Sequence, residues 1–281
     1  DERIPADFSG ETYYDPEHRW VGVCVSQFGI VYNKDMLRRM GAAAPERWED
    51  LADPRYFGRL ALADPTKSSS VTQAFEMIVQ EQMQAVIRAR GDTPEARREG
   101  WKRGLNLLQD LGANARYFTD SASKIPQDVG QGNAAAGMCI DFYGRSFAEE
   151  LTTVSGKPRL VWIAPEDGTT LSADPIGVLK GAPHPEIAQA FVEFCLSPEG
   201  QILWFAKPGT PHGPNERALH RTPIRRDVYT PEILTHSTMP DANPYQDSGN
   251  FTYRRELTGA AFNTLRQLIK AMCIDSHEEM K

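Results

Sequence analysis

Short apolar segments alternate with amphipathic segments along residues 60–164. The segment Leu60–Ala63 is predicted to be a buried strand, because the aspartate and proline that follow it end a strand. From Val71 the apolar side chains recur with a helical period, and Ser70 and Gln73 have the spacing of a capping box. This alternation predicts an α/β lobe built around a largely parallel sheet.

The same patterns predict the other elements of the chain. Strands are expected at 20–32 (as one or two), 115–118, 134–140, 159–164 and 175–179. Helices are expected from 34 to 40, at 94–111, around 125–129, from about 145, at 185–196, from 198 and at 256–273. Residues 209–250 carry many prolines and are predicted to be irregular.

The composition is that of an ordinary globular protein. The 281 residues are 40% hydrophobic and 25% charged, which suffices for two lobes with cores of their own. The net charge of −7 argues against a nucleic-acid partner, since such partners require a basic surface. The longest apolar runs, such as Ala134–Ile140, are far shorter than the roughly 20 residues that span a bilayer. The sequence therefore predicts neither a nucleic-acid-binding nor a membrane-spanning protein.

The four cysteines stand singly in apolar segments, without the C-x-x-C spacing of a zinc site or a redox pair. They are Cys24, Cys139, Cys195 and Cys273. We predict buried free thiols, which leave the cellular compartment open. The chain begins with an aspartate and no signal segment precedes it, so either a leader has been removed or the N-terminus of the protein lies outside this chain.

Four hydroxyls and one ammonium group lie between the strand Leu60–Ala63 and the helix after it. They belong to Thr66, Lys67, Ser68, Ser69 and Ser70. Free amide hydrogens at a helix N-terminus bind anions readily, so this segment is a candidate anion site. The alternative is ordinary N-capping, which serine and threonine also favour, although one hydroxyl would suffice for it.

Two more polar segments follow predicted strands of the same lobe. One contains Asp120, Ser121 and Ser123, and the other is Asp141–Arg145, "DFYGR", which is predicted to be a loop. Ligands of open α/β sheets bind beyond the carboxyl ends of the strands, where all three polar segments are expected to lie. Their convergence favours a binding site for a polar small molecule.

Four longer stretches carry a resemblance to a known family. They are "WVGVCVSQFGIVYNKDML", "PERWEDLADPRYFGRLALADPTKSSSVTQAF", "QGNAAAGMCIDFYG" and "SADPIGVLKGAPHPEIAQAFVEFCLSPEGQ". The chain resembles the periplasmic substrate-binding proteins of bacterial ABC importers, in the group that contains ferric-ion-binding and organophosphate-binding proteins. The resemblance covers most of residues 20–201 and is specific for the superfamily, not for the ligand.

The resemblance implies a type II periplasmic-binding-protein fold, with two α/β lobes joined by crossover strands and a ligand closed between them by a hinge. It implies that residues 1–53 are a remnant of lobe 1 with the first crossover strand, and that 54–171 form lobe 2. Residues 172–250 are then the return crossover and a portion of lobe 1, and 251–281 a C-terminal helix that packs on lobe 2. Nothing matches the family's opening strand and helix, so we expect an N-terminally truncated fragment with an incomplete first lobe. The alternative is a shorter, rearranged member of the family.

The resemblance also implies roles for single residues. Ser68 and Ser69 match positions whose amide groups would face an anion, which implies that the hydroxyls around them cradle an anionic group. The two adjacent tyrosines that bind iron in the ferric group match Phe142 and Tyr143. Phenylalanine cannot coordinate a metal, so a ferric site that uses Tyr143 is the alternative to an anion site.

Asp141 and Arg145 suit a ligand that has both hydroxyls and an anionic group, because carboxylates accept from hydroxyls and arginine donates to phosphate or carboxylate. The alternative for this pair is a purely structural role at the start of a helix. Asp174, beside the return crossover, is a further candidate, although an aspartate before proline also begins turns. The complete set of candidate ligand-binding residues is Thr66, Lys67, Ser68, Ser69, Ser70, Asp120, Ser121, Asp141, Phe142, Tyr143, Arg145 and Asp174.

These features favour a non-enzymatic protein that captures a small anionic solute, such as a sugar phosphate or phosphonate, for the membrane permease of an ABC importer. A ferric-iron-binding transport protein is the alternative, and an enzyme or a regulator's sensing domain on the same fold is the alternative of another class. The sequence contains no nucleophile elbow, P-loop, dinucleotide fingerprint or zinc motif. We expect no cofactor, and a monomer that is periplasmic, or extracellular and associated with the membrane.

Overall fold

The computed structural model describes residues 2–241, 243–247 and 251–280. Contacts between residues divide the chain into two compact units. The first unit comprises Asp1–Gln27 and Thr170–Gly249, and the second comprises Phe28–Thr169 and Asn250–Lys281. The chain thus passes from one unit to the other more than once, as the resemblance implies for a two-lobed protein.

The described strands are β1 (Asp7–Phe8), β2 (Glu11–Thr12), β3 (Val21–Ser26), β4 (Phe28–Asn33), β5 (Leu60–Ala63), β6 (Ala115–Thr119), β7 (Ala136–Ile140), β8 (Leu160–Ile163), β9 (Ser172–Ile176) and β10 (Thr222–Pro223). The described α-helices are α1 (Lys34–Met40), α2 (Ser69–Arg90), α3 (Pro94–Asn114), α4 (Lys124–Gln131), α5 (Asp141–Ser155), α6 (Pro185–Leu196), α7 (Pro198–Leu203), α8 (Pro231–Thr235), α9 (Pro244–Asp247), α10 (Arg255–Thr258), α11 (Phe262–Ile269) and α12 (His277–Met280). Short 3₁₀ turns lie at Trp48–Ala52, Pro54–Tyr56, Arg226–Val228 and Gly259–Ala261, and a π-helical segment at Lys270–Asp275.

The second unit is built on a five-stranded sheet with the strand order β6-β5-β7-β4-β8. β5 is parallel to both β6 and β7, whereas β4 is antiparallel to both β7 and β8. Four of the five strands therefore run in one direction and β4 alone runs against them, so the sheet is mixed but largely parallel, as expected. β4 runs from Phe28, which is opposite Ile140 of β7, to Asn33, which is opposite Leu160 of β8.

Residues 28–53 were expected to belong with the first lobe, but the contacts place them in the second unit. β4 is the cause, since it lies inside the five-stranded sheet and all six of its residues are buried. The turn after it contributes Trp48 and Leu51, both fully buried, to the same hydrophobic core. Burying a large apolar side chain stabilises a fold by about 1.5–3 kcal/mol, so this segment is a substantial part of that core.

The C-terminal segment packs on the second unit through the polar side of α2. Gln84 Nε2 donates to the carbonyl oxygen of Thr252 at 2.8 Å, and Gln80 Nε2 donates to that of Arg254 at 3.0 Å. Glu76 accepts from the hydroxyl of Tyr253 at 3.0 Å. Because Glu76, Gln80 and Gln84 are four residues apart, they lie on one side of the helix and bind three successive turns of it to the segment.

Two helices begin at other residues than the sequence predicted. Ser68 is the N-cap of α2, with extended backbone at φ −136° and ψ 113°. Ser70 and Gln73 therefore lie inside the helix, and the prediction that they form a capping box is wrong. α5 begins at Asp141, so the predicted loop "DFYGR" is wrong as well. The carboxylate Oδ1 of Asp141 accepts from the amide of Phe142 at 2.8 Å, and a negative charge at this position favours the start of a helix.

The first unit contains a three-stranded antiparallel sheet with the order β10-β3-β9 and a two-stranded sheet of β1 and β2. Gln201, a fully buried residue of α7, ties this sheet together. Its Nε2 donates to the carbonyl oxygen of Val23 at 2.7 Å, and its Oε1 accepts from the amide of Ile224 at 2.9 Å. Residues 209–250, predicted to be irregular, hold β10 and the short helices α8 and α9 among their described parts.

The four cysteines are buried free thiols, as predicted. None of the helices in the described part of the chain has the length and apolar character needed to cross a bilayer.

Candidate ligand-binding site

The polar segments that the sequence singled out in the second unit lie at one edge of the five-stranded sheet. Because β5 is parallel to β6 and β7, the carboxyl ends of all three strands lie at the same edge. Ala63 of β5 is opposite Thr119 of β6, and each is followed directly by a polar segment. Ligands of open α/β sheets bind at this kind of edge. The edge therefore brings together the candidates that belong to the second unit.

Asp64 organises the segment between β5 and α2. Its carboxylate Oδ1 accepts from the amide of Thr66 at 2.8 Å and from the hydroxyl of Thr66 at 2.6 Å. Its carbonyl oxygen accepts from the amides of Lys67 at 3.1 Å and Ser68 at 3.2 Å. The Thr66 hydroxyl therefore has a structural partner, and a buried aspartate sets the path of the chain into α2.

Arg266, on α11, holds the other side of this segment. Its Nε donates to the carbonyl oxygen of Pro65 at 2.8 Å, and its Nη2 donates to that of Thr66 at 2.7 Å. The carbonyl oxygen of Pro65 also accepts from the hydroxyl of Thr72, in the first turn of α2, at 2.8 Å. The segment before α2 is therefore held from both α11 and α2.

The first turn of α2 has no side-chain cap among the described residues. The N-cap residue Ser68 makes no capping hydrogen bond, and its hydroxyl lies 3.1 Å from that of Ser70. Ser69 is exposed, and Ser68 and Ser70 are partly exposed. A helix of 22 residues thus begins with amide hydrogens and three serine hydroxyls close together, which is a favourable arrangement for a bound anion.

Lys67 and Asp120 connect two of the three polar segments. Lys67 Nζ lies 2.8 Å from Asp120 Oδ2, and the hydrogen bond that it donates to this carboxylate raises the pKa of the Lys67 ammonium. Beside them the hydroxyls of Ser121 and Ser123 are 2.9 Å apart. A permanent positive charge therefore lies next to the start of α2, accompanied by one carboxylate.

Lys124 has a different role from Lys67. Its ammonium and the hydroxyl of Tyr117 both donate to the buried carboxylate of Asp128. Burial raises the pKa of Asp128, but these hydrogen bonds outweigh it and the net shift is downward. The pKa of Tyr117 is raised by burial and by its bond to the same carboxylate. This cluster fixes α4 against β6.

The first turns of α5 hold the candidates that follow β7. Asp141 is 1% exposed, and its Oδ2 lies 3.2 Å from Nη1 of Arg145, which is partly exposed. The guanidinium of Arg145 also lies over the ring of Trp162, 4.9 Å from its centroid. The rings of Phe142 and Tyr143 are 4.2 Å apart and tilted. The carboxylate of Asp141 is too buried to meet a ligand itself, but it holds Arg145 in place.

Gly144 permits the close packing that supports Arg145. A Cβ atom at this position would lie 2.4 Å from a ring carbon of Trp162, so only glycine lets α5 approach β8 this closely. The Nε1 of Trp162 donates to the carbonyl oxygen of Cys139 at 3.2 Å, which fixes the ring. The glycine of "DFYGR" is therefore part of the support for the arginine.

Asp174 is the one candidate that lies in the first unit, on β9. Its Oδ2 accepts from the hydroxyl of Ser26 at 2.9 Å and from Arg221. The thiol of Cys24 is 3.5 Å from the same oxygen. Asp174 is thus the centre of a polar cluster on the sheet of the first unit.

Sequence reasoning missed three residues that support the candidates. Arg266 is about 200 residues from the carbonyl groups that it holds, and Arg221 is 47 residues from Asp174. Trp162 appeared only as part of an apolar strand. No local pattern distinguishes these residues, because their roles depend on tertiary contacts alone.

Comparisons with known proteins identify the family and the fold of this chain. Residues 1–226 match the model of the family described as "Bacterial extracellular solute-binding protein". The phosphoglycerate transport regulatory protein PgtC of Salmonella typhimurium is 25% identical over 183 residues, which are 65% of this chain and 40% of that protein. The Fe(3+)-binding periplasmic protein of Serratia marcescens is 26% identical over 195 residues, which are 69% of this chain and 51% of that protein. The matched regions thus span about half of these relatives or less.

One solved structure shows the fold. The periplasmic binding protein AfuA from Actinobacillus pleuropneumoniae, with exogenous fructose-6-phosphate bound, aligns with a TM-score of 0.65 and 18% identity over 97% of this chain and 73% of that chain. The α/β periplasmic-binding-protein fold expected from the resemblance is therefore confirmed. The family is a solute-binding class and not an enzyme class. Because its model matches most of the sequence, this chain belongs to the family of bacterial extracellular solute-binding proteins.

Proposed function

We propose that this chain captures a small organic anion, with a phosphate or phosphonate group, at the carboxyl-end edge of the sheet in its second unit. The observation that carries the proposal is the start of α2, where an uncapped first turn lies beside the ammonium of Lys67. Backbone amides and an adjacent cation are the groups that proteins use to hold phosphate.

The other candidates have complementary roles in this proposal. Arg145 is the second cation, and Asp141 is a positioning residue that acts through it. Ser68, Ser69, Ser121 and the rim carboxylate of Asp120 hydrogen-bond the polar body of the solute, and Phe142 with Tyr143 forms an aromatic wall beside it. Asp64 and Arg266 keep the segment before α2 in the binding geometry.

Ferric iron is the second candidate ligand, because the Serratia marcescens relative is an Fe(3+)-binding protein and Tyr143 offers one phenol. Among the described residues, no three histidine, cysteine or acidic side chains lie close enough together to hold a metal ion. Fe(III) prefers several oxygen ligands, whereas Phe142 supplies none and Arg145 supplies a positive charge. The organic anion therefore has the better chemical match, and AfuA is a structural relative with a sugar phosphate bound.

In this proposal the protein is not an enzyme. It delivers its solute to the membrane permease of an ABC importer, acts as a monomer, needs no cofactor, and works in the periplasm or outside the cell at the membrane surface. Membership of an extracellular solute-binding family supports this placement.

Isothermal titration calorimetry tests the ligand class. The chain is titrated with fructose 6-phosphate, 3-phosphoglycerate, methylphosphonate and ferric citrate, with fructose and glycerate as phosphate-free controls. We expect at least one phosphorylated or phosphonate compound to bind, and its phosphate-free control not to bind. The opposite result would be tight binding of ferric citrate, with a visible absorption band that Tyr143→Phe abolishes, and no heat from any phosphate or phosphonate compound. That result would overturn the organic anion as the ligand and favour iron.

A further inference from the structure

Helix α6 of the first unit is apolar on most of its sides. Its twelve residues read PEIAQAFVEFCL, and the three polar ones, Glu186, Gln189 and Glu193, form a single stripe. A helix on the surface of a globular protein needs an apolar stripe of about 100°, whereas a helix that is apolar on most sides is typical of the interior. The sequence of α6 therefore indicates burial on more than one side.

The first unit covers one side of α6. Cys195 is buried there and packs with Val23 and Cys24 of β3. The neighbouring side consists of Ile187, Phe191 and Phe194, which are 64%, 59% and 46% exposed. Because these three residues have the spacing i, i+4 and i+7, they form one continuous face, which we call the outer face of α6.

The apolar surface continues from α6 to the segment that follows β9. Val178 and Leu179 of this segment are exposed, Leu179 by 82%. A groove of about 410 Å³ joins the segment to α6 and is lined by Trp20, Val178 and Val192, among others. Monomeric soluble proteins rarely leave a contiguous surface of large apolar side chains open to water. This surface is therefore expected to have a partner.

β9 offers a second feature without a partner. In the order β10-β3-β9 it is the last strand, so one of its edges has no partner strand among the described residues. The unpaired amide and carbonyl groups of an edge strand are a template for a further strand. The open edge and the exposed apolar side chains thus lie in the same unit and adjoin each other at Val178, two residues after the end of β9.

The hydrophobic core of the first unit is small. Although the unit comprises Asp1–Gln27 and Thr170–Gly249, the buried hydrophobic residues described in it form two clusters, of four and of three residues. A unit of this length usually buries a larger core. The exposed phenylalanines and isoleucine of α6 have the character of core residues whose other half is absent.

Charge and size select the kind of partner. The exposed carboxylates of Glu186 and Glu193 lie beside the outer face, and the chain has a net charge of −7, so an anionic membrane surface would repel it. The alignment with AfuA covers 97% of this chain but 73% of that chain, so part of that fold has no counterpart among these residues. An open strand edge beside an apolar helix face fits a strand and a helix, the elements of an α/β unit.

We infer that the outer face of α6 and the open edge of β9 are interior surfaces, covered in the complete protein by a strand and an amphipathic helix that lie outside this chain. The strand extends the sheet β10-β3-β9, and the helix packs its apolar side on Ile187, Phe191 and Phe194. This inference concerns the first unit alone and does not depend on the anion site in the second.

Thermal denaturation of Phe191→Ser tests the inference in two proteins, this chain and the longer protein that its gene encodes. In this chain the side chain is exposed, so the melting temperature is expected to stay within about 1 °C of the wild type. In the longer protein the same change is expected to lower it by at least about 5 °C, because a buried phenylalanine is lost. Phe57→Ser, at a position of the second unit that is 52% exposed, is the control and should be neutral in both proteins. A neutral Phe191→Ser in the longer protein would contradict the inference, as would a gene that encodes no residues beyond this chain.

Thiol labelling measures the coverage itself. The four native cysteines are buried, so a maleimide reports on an introduced one. Phe191→Cys and Glu216→Cys, both exposed positions of the first unit, should react equally fast in this chain. In the longer protein Phe191→Cys should react at least about 100-fold more slowly, and Glu216→Cys at an unchanged rate.

The other occupants of the outer face give different results. Protection of Phe191→Cys that rises with the concentration of this chain, together with a dimer in sedimentation, would assign the face to a second copy. Protection by phosphatidylglycerol vesicles would assign it to a membrane. Either result, or equal labelling of the two positions in the longer protein, would overturn the inference.

Discussion

The ammonium of Lys67 lies 2.8 Å from the carboxylate of Asp120, and this ion pair joins the segment after β5 to the segment after β6. Both side chains are largely exposed, at 52% and 70%, so the pair is screened by solvent and contributes little to stability. Its consequence is electrostatic, because it keeps a cation within reach of the uncapped start of α2. Binding and stability should therefore respond differently when Lys67 is replaced.

Lys67→Met is expected to weaken binding of a sugar phosphate about tenfold, since it removes a charged donor. The melting temperature should change little. Lys102→Met, at an exposed position of α3, is the control and should leave affinity unchanged. Calorimetry and thermal denaturation together measure both effects. A large drop in melting temperature, with unaltered affinity, would assign Lys67 to the fold and not to the ligand.

Ser68→Ala with Ser69→Ala is expected to lower anion affinity about 10- to 100-fold, the value of one hydrogen bond to a charged group. Loss of a true N-cap would cost about 1 kcal/mol of stability, but Ser68 makes no capping bond, so the cost should be smaller. The free energy of unfolding in urea and the dissociation constant are measured on the same variant. If the variant had a lower free energy of unfolding but bound the anion as tightly as the wild type, the two serines would have a structural role only.

Asp141 is expected to act only through Arg145, since its carboxylate is buried and lies 3.2 Å from the guanidinium. Asp141→Asn should weaken anion binding in the wild type but have no further effect in Arg145→Met. A double-mutant cycle of dissociation constants detects this coupling. Additive losses would mean that Asp141 contributes to binding independently of the arginine.

Stability is expected to fall between about pH 4.5 and pH 8 because of Glu81. Burial, and then the nearby charge of Glu49, raise the pKa of this carboxyl from 4.5 to about 8, and Arg47 opposes the shift. Its Oε2 has no hydrogen-bond partner among the described residues. In this pH range the unfolded chain releases the proton and the folded chain retains it, so rising pH favours unfolding.

Glu81→Gln should remove most of this pH dependence and raise stability at pH 8. The expected gain is on the order of a few kcal/mol, since one pKa unit corresponds to about 1.36 kcal/mol. Urea titrations of the wild type and the variant at pH 5, 6, 7 and 8 measure it. Parallel pH profiles for the two proteins would show that Glu81 is ionised in the folded state.

Elements with strong local signals were predictable from the sequence. β5 was expected at Leu60–Ala63 and α6 at Pro185–Leu196, and both lie there. The apolar run closed by Asp-Pro and the helical period after a proline are signals that need no tertiary context. The polar segment before α2 was identifiable in the same way, since hydroxyl-rich residues at a strand-to-helix junction are visible in the sequence.

Other features depend on contacts that the sequence does not reveal. The direction of β4 follows from its pairing with β7, which lies about 100 residues later in the chain. The start of α5 at Asp141 depends on a side-chain bond to the next amide and on the pair with Arg145. Arg266 supports the segment before α2 from the far end of the chain. Each of these roles is set by tertiary packing.

The location of the anion is tested most directly by amide chemical shifts of ¹⁵N-labelled protein during titration with fructose 6-phosphate. The account predicts that the largest shifts belong to the amides of Ser69 and Ser70 and to the side-chain N–H of Arg145. It also predicts that these shifts are absent with fructose. Saturable binding with the largest shifts elsewhere, for example around Glu46 or in the first unit alone, would contradict an anion site at the start of α2.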